Sequence, residues 1–376
     1  MRVIGLMSGT SMDGIDVALV ETDGELFADP PGHNRVLPEG NGSEPVRYTP
    51  AEAALLHRAK AEAQALTDRT ARPGCLAEAE ALVTRRHAEA VEAFMAARGL
   101  TPTDIDAVGF HGQTLVHRPA EGLTVQIGDG VALARRLGIR VVHDFRAADV
   151  ASGGQGAPLV PVFHRALARA SGFALPLAVL NIGGVANVTF LDEGDALAGF
   201  DTGPGNALLD DLMRARTGTD RDQDGATAAA GRVDEDLLAW LLAHPYFGQR
   251  PPKSLDRDAF SYLLVGGLTL PDAAATLSAF TVRAVARALD WAHRQPLRWI
   301  VAGGGAHNPV LMRGLREALG TPVETAESVG WSTDDLEAQA FAFLAARRLA
   351  GLPITYPATT GVAEPLTGGE VAEPEP

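Results

Sequence analysis

Near the start of the chain, apolar positions come in short blocks rather than long stripes. Residues 3–7 (VIGLM) and 15–20 (IDVALV) are β-prone runs flanking a polar, glycine-containing turn, a pattern that predicts a hairpin. Residues 25–48 are rich in Gly, Pro and Asn and predict a loop. Helical stretches follow at about 50–67 and 76–98. In the second, Leu76, Leu82, Val83, Val91, Phe94 and Met95 fall roughly on one stripe, which marks a core-packing helix. Strand-like runs at 105–110 and 139–143 lead into His111-Gly112-Gln113-Thr114 and Asp144-Phe145-Arg146. Open α/β sheets place ligands just past such strand ends. Residues 152–158 (SGGQGAP) read as a mobile loop ahead of a helix near 161–170.

The opening pattern recurs at 177–191: LAVLN, then Ile182-Gly183-Gly184-Val185-Ala186, then NVTFL. Strand, glycine turn and strand thus occur twice, about half a chain apart, which predicts two related α/β lobes closing on a cleft. Residues 199–206 form a strand end and turn feeding a helix at 206–216. The run at 297–302 leads into Gly303-Gly304-Gly305-Ala306-His307-Asn308-Pro309 and a helix through 319. A last helix at about 334–349 carries Glu337 early and Arg347 and Arg348 late, matching the helix dipole. The expected division is an N-terminal lobe at 1–130 and a C-terminal lobe at 131–361, with the C-terminal helix free to return to the first lobe. The tail, 362–376, is rich in Gly, Pro and Glu and predicts disorder.

Composition narrows the function. A chain of 376 residues, 46% hydrophobic, can bury a substantial core and suits two lobes. Its 47 acidic against 32 basic residues give a formal charge of −15, which argues against a surface built for nucleic-acid phosphates. Cys75 is the only cysteine, so neither an intramolecular disulfide nor a cysteine-built metal site is available, and a reducing cytoplasm fits. The apolar run after Arg2 is broken by Gly5, Ser8 and Gly9, too soon for a signal-peptide core, and no stretch is long enough to span a bilayer.

The turn at 8–14 (SGTSMDG) lacks both the P-loop ending and the Rossmann glycine spacing. It offers glycines that admit phosphate oxygens to the backbone, hydroxyls on Ser8, Thr10 and Ser11, and Asp13 as a partner for magnesium-bound water. Taken alone, it is more often an ordinary hairpin turn. Asp201, between an apolar strand and a glycine-studded turn, could take a proton from an attacking hydroxyl or water, or simply form an Asx turn. Gly303 to Gly305 either admit a flat adenosine or permit tight strand-to-helix packing. His111 is a ligand donor or a core histidine. Arg146 clamps a substrate anion or pairs with Asp144 or Asp149. Glu337 contacts ligand or caps its helix.

Taken in order, these motifs resemble the anhydro-N-acetylmuramic acid kinases, a bacterial branch of the actin, hexokinase and Hsp70 ATPase superfamily. The resemblance rests on GLMSGTSMDGIDVALV (5–20), GFHGQTLVHRP (109–119), QIGDG (126–130), DFRAADVASGGQGAPLVP (144–161), NIGGVANVTF (181–190), GFDTGPGNALLD (199–210) and GGGAHNP (303–309). It implies an α/β fold of two ribonuclease H-like lobes around a central cleft. It also implies a cytoplasmic reaction of cell-wall recycling, in which ATP phosphorylates O6 of 1,6-anhydro-N-acetylmuramic acid while water opens the anhydro bridge at C1. By that likeness Asp201 is the general base. Gly9, Thr10, Ser11, Met12, Asp13, Gly14, Ile15 and Asp16 surround the ATP phosphates, with Mg2+ held through water by Asp13. Gly183, Gly184, Gly203 and Gly205 complete the clamp, Gly303, Gly304 and Gly305 lie near the adenosine, and His111, Arg146 and Glu337 contact the sugar. A homodimer is allowed.

One segment departs from the family pattern. Where the family has Pro-Pro-Lys-Ser-Thr-Gly-Arg-Glu, this chain has Pro251-Pro252-Lys253-Ser254-Leu255-Asp256-Arg257-Asp258, so no role is assigned to Lys253 or Arg257. Two other readings compete: a kinase of another sugar with the same fold, and an ATP-gated binder of cell-wall fragments without turnover.

Overall fold

The computed structural model describes residues 1–9, 12, 14–24, 46–333 and 335–374. Thr10, Ser11, Asp13 and all but the end of the loop expected at 25–48 lie outside the described residues. The chain forms two compact units, Met1–Gly172 with Asp335–Pro376, and Phe173–Asp334.

The first unit opens with the expected hairpin, β1 (Arg2–Met7) antiparallel to β2 (Gly14–Glu21), with Met7 opposite Asp16. Val46 and Arg47, expected in the loop, instead form a short edge strand β3 that pairs with Ile15 and Gly14. β4 (Ala107–Phe110) lies parallel to β1. A separate hairpin, β5 (Gln113–Arg118) with β6 (Leu123–Ile127), follows before β7 (Val141–His143) returns parallel to β4. The expected boundary at 130/131 is therefore displaced to 172/173. β7 hydrogen-bonds to β4, which keeps the chain after residue 130 in the first sheet.

In the second unit β8 (Leu177–Ile182), β9 (Val185–Leu191) and β10 (Leu197–Pro204) form an antiparallel meander. β11 (Trp299–Ala302) lies parallel to β8, and β12 (Val323–Thr325) parallel to β11. The order β10-β9-β8-β11-β12 matches β3-β2-β1-β4-β7 strand for strand and direction for direction. The internal repeat thus extends beyond the two glycine hairpins to a whole sheet in each unit, the paired α/β architecture that the resemblance implied. Between β10 and β11 the second unit adds helices, among them Ala207–Thr217, Glu235–Leu242 and Leu270–Arg287.

The tail is a correction. β13 (Glu370–Ala372) pairs antiparallel with β7, Ala372 is buried in the core, and Leu366 bridges to Thr355. β7 would otherwise present unpaired backbone groups at the sheet edge. The composition of the tail carries no information about that vacant edge.

The helix Leu336–Leu349 lies on the first sheet at two glycines. Gly5 and Gly109 are directly opposite each other on β1 and β4. A Cβ at Gly5 would fall 1.8 Å from the Ala338 carbonyl oxygen, and one at Gly109 would fall 2.2 Å from that of Phe341. Only glycine admits helix backbone this close to a strand. Arg347, expected only to complement the dipole, is buried and donates to the carbonyls of Gly24 and Pro353 and to the Tyr356 hydroxyl. Helix Pro50–Ala63 starts at a capping box of Thr49 and Glu52 and ends short of residue 67. Helix Leu76–Ala97 buries the predicted stripe together with His87. Among the described residues no helix is long and apolar enough to cross a membrane.

His87 and His164 are buried, and desolvation of the charged ring lowers them from 6.5 to about 4 and about 3. Below pH 6.5 the unfolded chain therefore binds protons that the folded chain does not, and stability falls as pH drops from there towards 4. Each histidine should contribute a slope of about 1.4 kcal/mol per pH unit. Urea denaturation across this range tests it, and a flat stability would contradict it.

Candidate active site

In the first unit, after β1, the Met12 amide donates to the Gly9 carbonyl at 3.2 Å. Met12 adopts a left-handed φ of 56° and buries its side chain in the core, as does Ile15. Anything these two give a ligand comes from backbone. Ser8, expected as a phosphate donor, is also buried, and its hydroxyl donates to the Gly112 carbonyl at 3.1 Å. It thereby ties the residue after β1 to the segment just past β4. Gln113 makes a second tie, donating from Nε2 to the Gly9 carbonyl at 3.0 Å.

His111 and Arg146 are brought together by the parallel strands β4 and β7, whose ends lie side by side. Arg146 donates to His111 Nε2 at 3.1 Å and to the Gly156 carbonyl at 2.7 Å. Because Nε2 accepts, the ring proton sits on Nδ1, which donates to the Gly112 carbonyl at 2.8 Å. Burial and, secondarily, the Arg146 charge hold His111 well below its ordinary value, so the ring is neutral. The carboxylates expected as surface partners of Arg146 have other engagements. Asp144, at a left-handed φ of 53°, meets Arg69, and buried Asp149 accepts from the Gly156 amide and the Thr360 hydroxyl, both at 2.6 Å. Phe341 packs on His111 with ring centres 4.6 Å apart. Glu337, half-buried, lies one turn earlier on the same helix face. Arg146 and His111 thus share one neighbourhood, and Glu337 lies one turn from the Phe341 that packs on His111. Beside it lies a cavity of about 250 Å³ whose lining includes His111, Gln126, His143, Asp144 and Arg69.

In the second unit the glycines from three separate motifs converge. The amides of Gly205 and Asn206 donate to the carbonyls of Gly184 (2.9 Å) and Gly183 (2.7 Å), so the end of β10 is laced to the β8–β9 turn. A Cβ at Gly205 would fall 2.2 Å from the Gly183 carbonyl oxygen. Gly303, with a left-handed φ of 77°, lies so close to Asn181 that a Cβ there would fall 2.3 Å from its Oδ1. Asn206, at the start of helix Ala207–Thr217, donates from its side chain to the Ile182 carbonyl at 3.1 Å. Helix starts and glycine turns gathered in this way are an arrangement whose backbone amides can receive an anion.

Asp201 differs from expectation in one respect. It lies within β10, not past its end, and the register with β9 shifts between Asp201 and Gly203. It is held on three sides by a segment to which no role was assigned. The Asp201 amide donates to the Lys253 carbonyl at 3.0 Å, the Leu255 amide donates to Oδ2 at 2.8 Å, and the Tyr246 hydroxyl donates to the Asp201 carbonyl. The Leu255 bond is made by backbone, so the replacement of threonine by leucine leaves it intact. Asp256 caps the next turn through its carboxylate, and Arg257 forms a two-point pair with Asp211 at 2.8 and 3.0 Å.

The chain matches the family model described as anhydro-N-acetylmuramic acid kinase over residues 1–373. The chain belongs to the anhydro-N-acetylmuramic acid kinase family. A protein of that name from Methylobacterium nodulans is 64% identical over 375 residues, covering 100% of both chains. One from Methylorubrum populi is 60% identical over 99% of both, and one from Nitrobacter winogradskyi is 55% identical over 100% of both. Membership makes this chain an enzyme, a phosphotransferase. Solved structures align more loosely. The activator of 2-hydroxyisocaproyl-CoA dehydratase from Clostridium difficile with bound ADPNP covers 93% of this chain and 97% of its own, at 12% identity and a TM-score of 0.42. A ROK family glucokinase from Streptomyces griseus, in complex with glucose and AMPPNP, covers 92% and 99% at 15% identity and a TM-score of 0.39. A likeness at these scores carries no argument.

Replacing Gly205 by alanine should push the end of β10 off the Gly183 carbonyl and lower kinase turnover at least about tenfold, a barrier change of about 1.4 kcal/mol. Steady-state ADP release, with circular dichroism to verify folding, measures this. Unchanged turnover would show that the lacing is dispensable.

Proposed function

We propose that the enzyme transfers the γ-phosphoryl group of ATP to O6 of 1,6-anhydro-N-acetylmuramic acid while water adds to C1. The C1–O6 bond breaks, O6 takes the phosphoryl group, and the products are N-acetylmuramic acid 6-phosphate and ADP. Asp201 accepts the proton of the attacking water. A glycosidase normally needs a second carboxyl group to protonate its leaving oxygen, whereas here the phosphoryl group serves that oxygen. The observation that supports this reading most is the economy of β10. One strand carries Asp201 and, two residues on, Gly203, and Gly205 follows directly after its last residue, Pro204. A base and a phosphate frame on one rigid element keep water attack and phosphoryl transfer in fixed register.

The remaining assignments follow. Gly183, Gly184, Gly203 and Gly205 flank the phosphates, Gly303 to Gly305 lie beside the adenosine, and Gly9 to Asp16 supply the second phosphate turn. His111, Arg146 and Glu337 contact the sugar, and the guanidinium suits its carboxylate. Among the described residues no cluster of three His, Cys, Asp or Glu is arranged to cage a metal. Magnesium would be carried by the triphosphate and its own waters, with Asp13 as the one assigned carboxylate. Bound there, it would neutralise charge on the transferring group. Dependence on ATP and a single cysteine suit the cytoplasm.

Asp201→Asn should lower turnover by about 10²- to 10⁴-fold, the usual loss on removing a general base, while nucleotide affinity stays nearly constant. ADP release and calorimetric titration read the two effects, and near-normal turnover would remove Asp201 as base. In water enriched in heavy oxygen, the C1 hydroxyl of the product should carry the label, detected by mass spectrometry. Unlabelled product would refute hydrolysis of the bridge. A panel of other sugars assayed for ADP release completes the test of substrate.

A further inference from the structure

Lys253 is buried to 6% exposure, an uncommon place for an ammonium group. Its Nζ donates to the Tyr246 carbonyl at 3.0 Å and stands 4.4 Å from the centre of the Tyr246 ring. The same two residues grip Asp201, Lys253 through its carbonyl and Tyr246 through its hydroxyl. The ammonium therefore closes a loop of contacts: Lys253 to Tyr246, Tyr246 to Asp201, Asp201 back to Lys253. Burial draws the ammonium down to about 8, and the Asp201 charge opposes that shift, which means the two charges stabilise each other.

A carboxylate must be ionised to act as base, and Asp201 is buried, where a nearby positive charge acts with little screening by water. Titratable groups beside it include Lys253 and Tyr246, and burial first, with the Asp201 charge second, raises the latter. β9 sets uncharged Asn187 opposite Asp201. Helix Leu270–Arg287 sets Ala284 against Gly203 and Thr281 against Gly205, and its Arg287 donates to the Leu242 carbonyl.

We propose that Lys253 is a positioning residue for the reaction: its buried positive charge keeps Asp201 ionised, and its anchorage on Tyr246 holds the Leu255 amide on Oδ2. This rests on the reading of Asp201 as base.

The test compares the pH dependence of kcat/KM for wild type, Lys253→Met, Lys253→Arg and Tyr246→Phe, with Asp201→Asn as control. In Lys253→Met the acid limb should move to higher pH by about one unit, equivalent to a tenfold weaker preference for the ionised carboxylate. In Lys253→Arg, which keeps the charge, the limb should stay. In Tyr246→Phe turnover should fall without movement of the limb. Should Lys253→Met fail to fold, Lys253→Gln keeps a donor for the Tyr246 carbonyl, loses the charge, and reads the same limb. An unmoved limb in the uncharged variant, or an equal shift in Tyr246→Phe, overturns the proposal. An active Asp201→Asn would instead overturn the assignment of the base, so the two failures are distinguishable.

Discussion

The first unit depends on a backbone approach too close for any side chain. Gly5 and Gly109 sit opposite each other on neighbouring parallel strands, and the helix Leu336–Leu349 lies in the groove they leave. That contact returns the end of the chain to the sheet with which it began. It sets Phe341 against His111 and Phe145, so the first-unit candidates for sugar contact are aligned by packing rather than by long flexible side chains. Even conservative additions at either glycine would move the helix and the groups it orients.

The second unit repeats the sheet and uses its ends differently. At the first unit's strand ends, side chains converge: the neutral His111 ring, the Arg146 guanidinium that donates to it, and a cavity lined by mixed charges. At the second unit's strand ends, backbone converges: the Gly183–Gly184 and Gly205 turns are laced by amide-to-carbonyl bonds, and Gly303 and Gly305 pack closely against Asn181 and Ile182. Side chains discriminate among substituents, as recognition of a sugar requires. Close-set backbone accepts phosphate oxygens without regard to base or sugar. One fold, duplicated, thus presents two kinds of surface, one of side chains and one of backbone.

Buried charge is where the molecule spends stability. His87 and His164 remain neutral in the core, whereas burial lowers Lys253 and the charge of Asp201 only partly opposes that. A buried ion whose partner is removed costs far more than the intact pair contributes. The segment containing Tyr246 and Lys253 is therefore more than a connector: it sets the electrostatic state of the strand it covers.

Much of this was written in local sequence. The hairpins, the core stripe of Leu76–Ala97 and the glycine turns follow from spacing alone, because side-chain periodicity and glycine's freedom act over a few residues. Asp201 and the glycine motifs carried a recognisable order, which the family match extends over residues 1–373. What local sequence did not determine was partnership. That β7 binds β4 and moves the boundary to 172/173, that the tail fills the edge of β7, and that Ser8 faces Gly112 are outcomes of long-range contact. Lys253 and Leu255 could not be placed from their side chains. They reach Asp201 through a carbonyl and an amide, groups that every peptide unit possesses, and only the tertiary path of the chain brings them there.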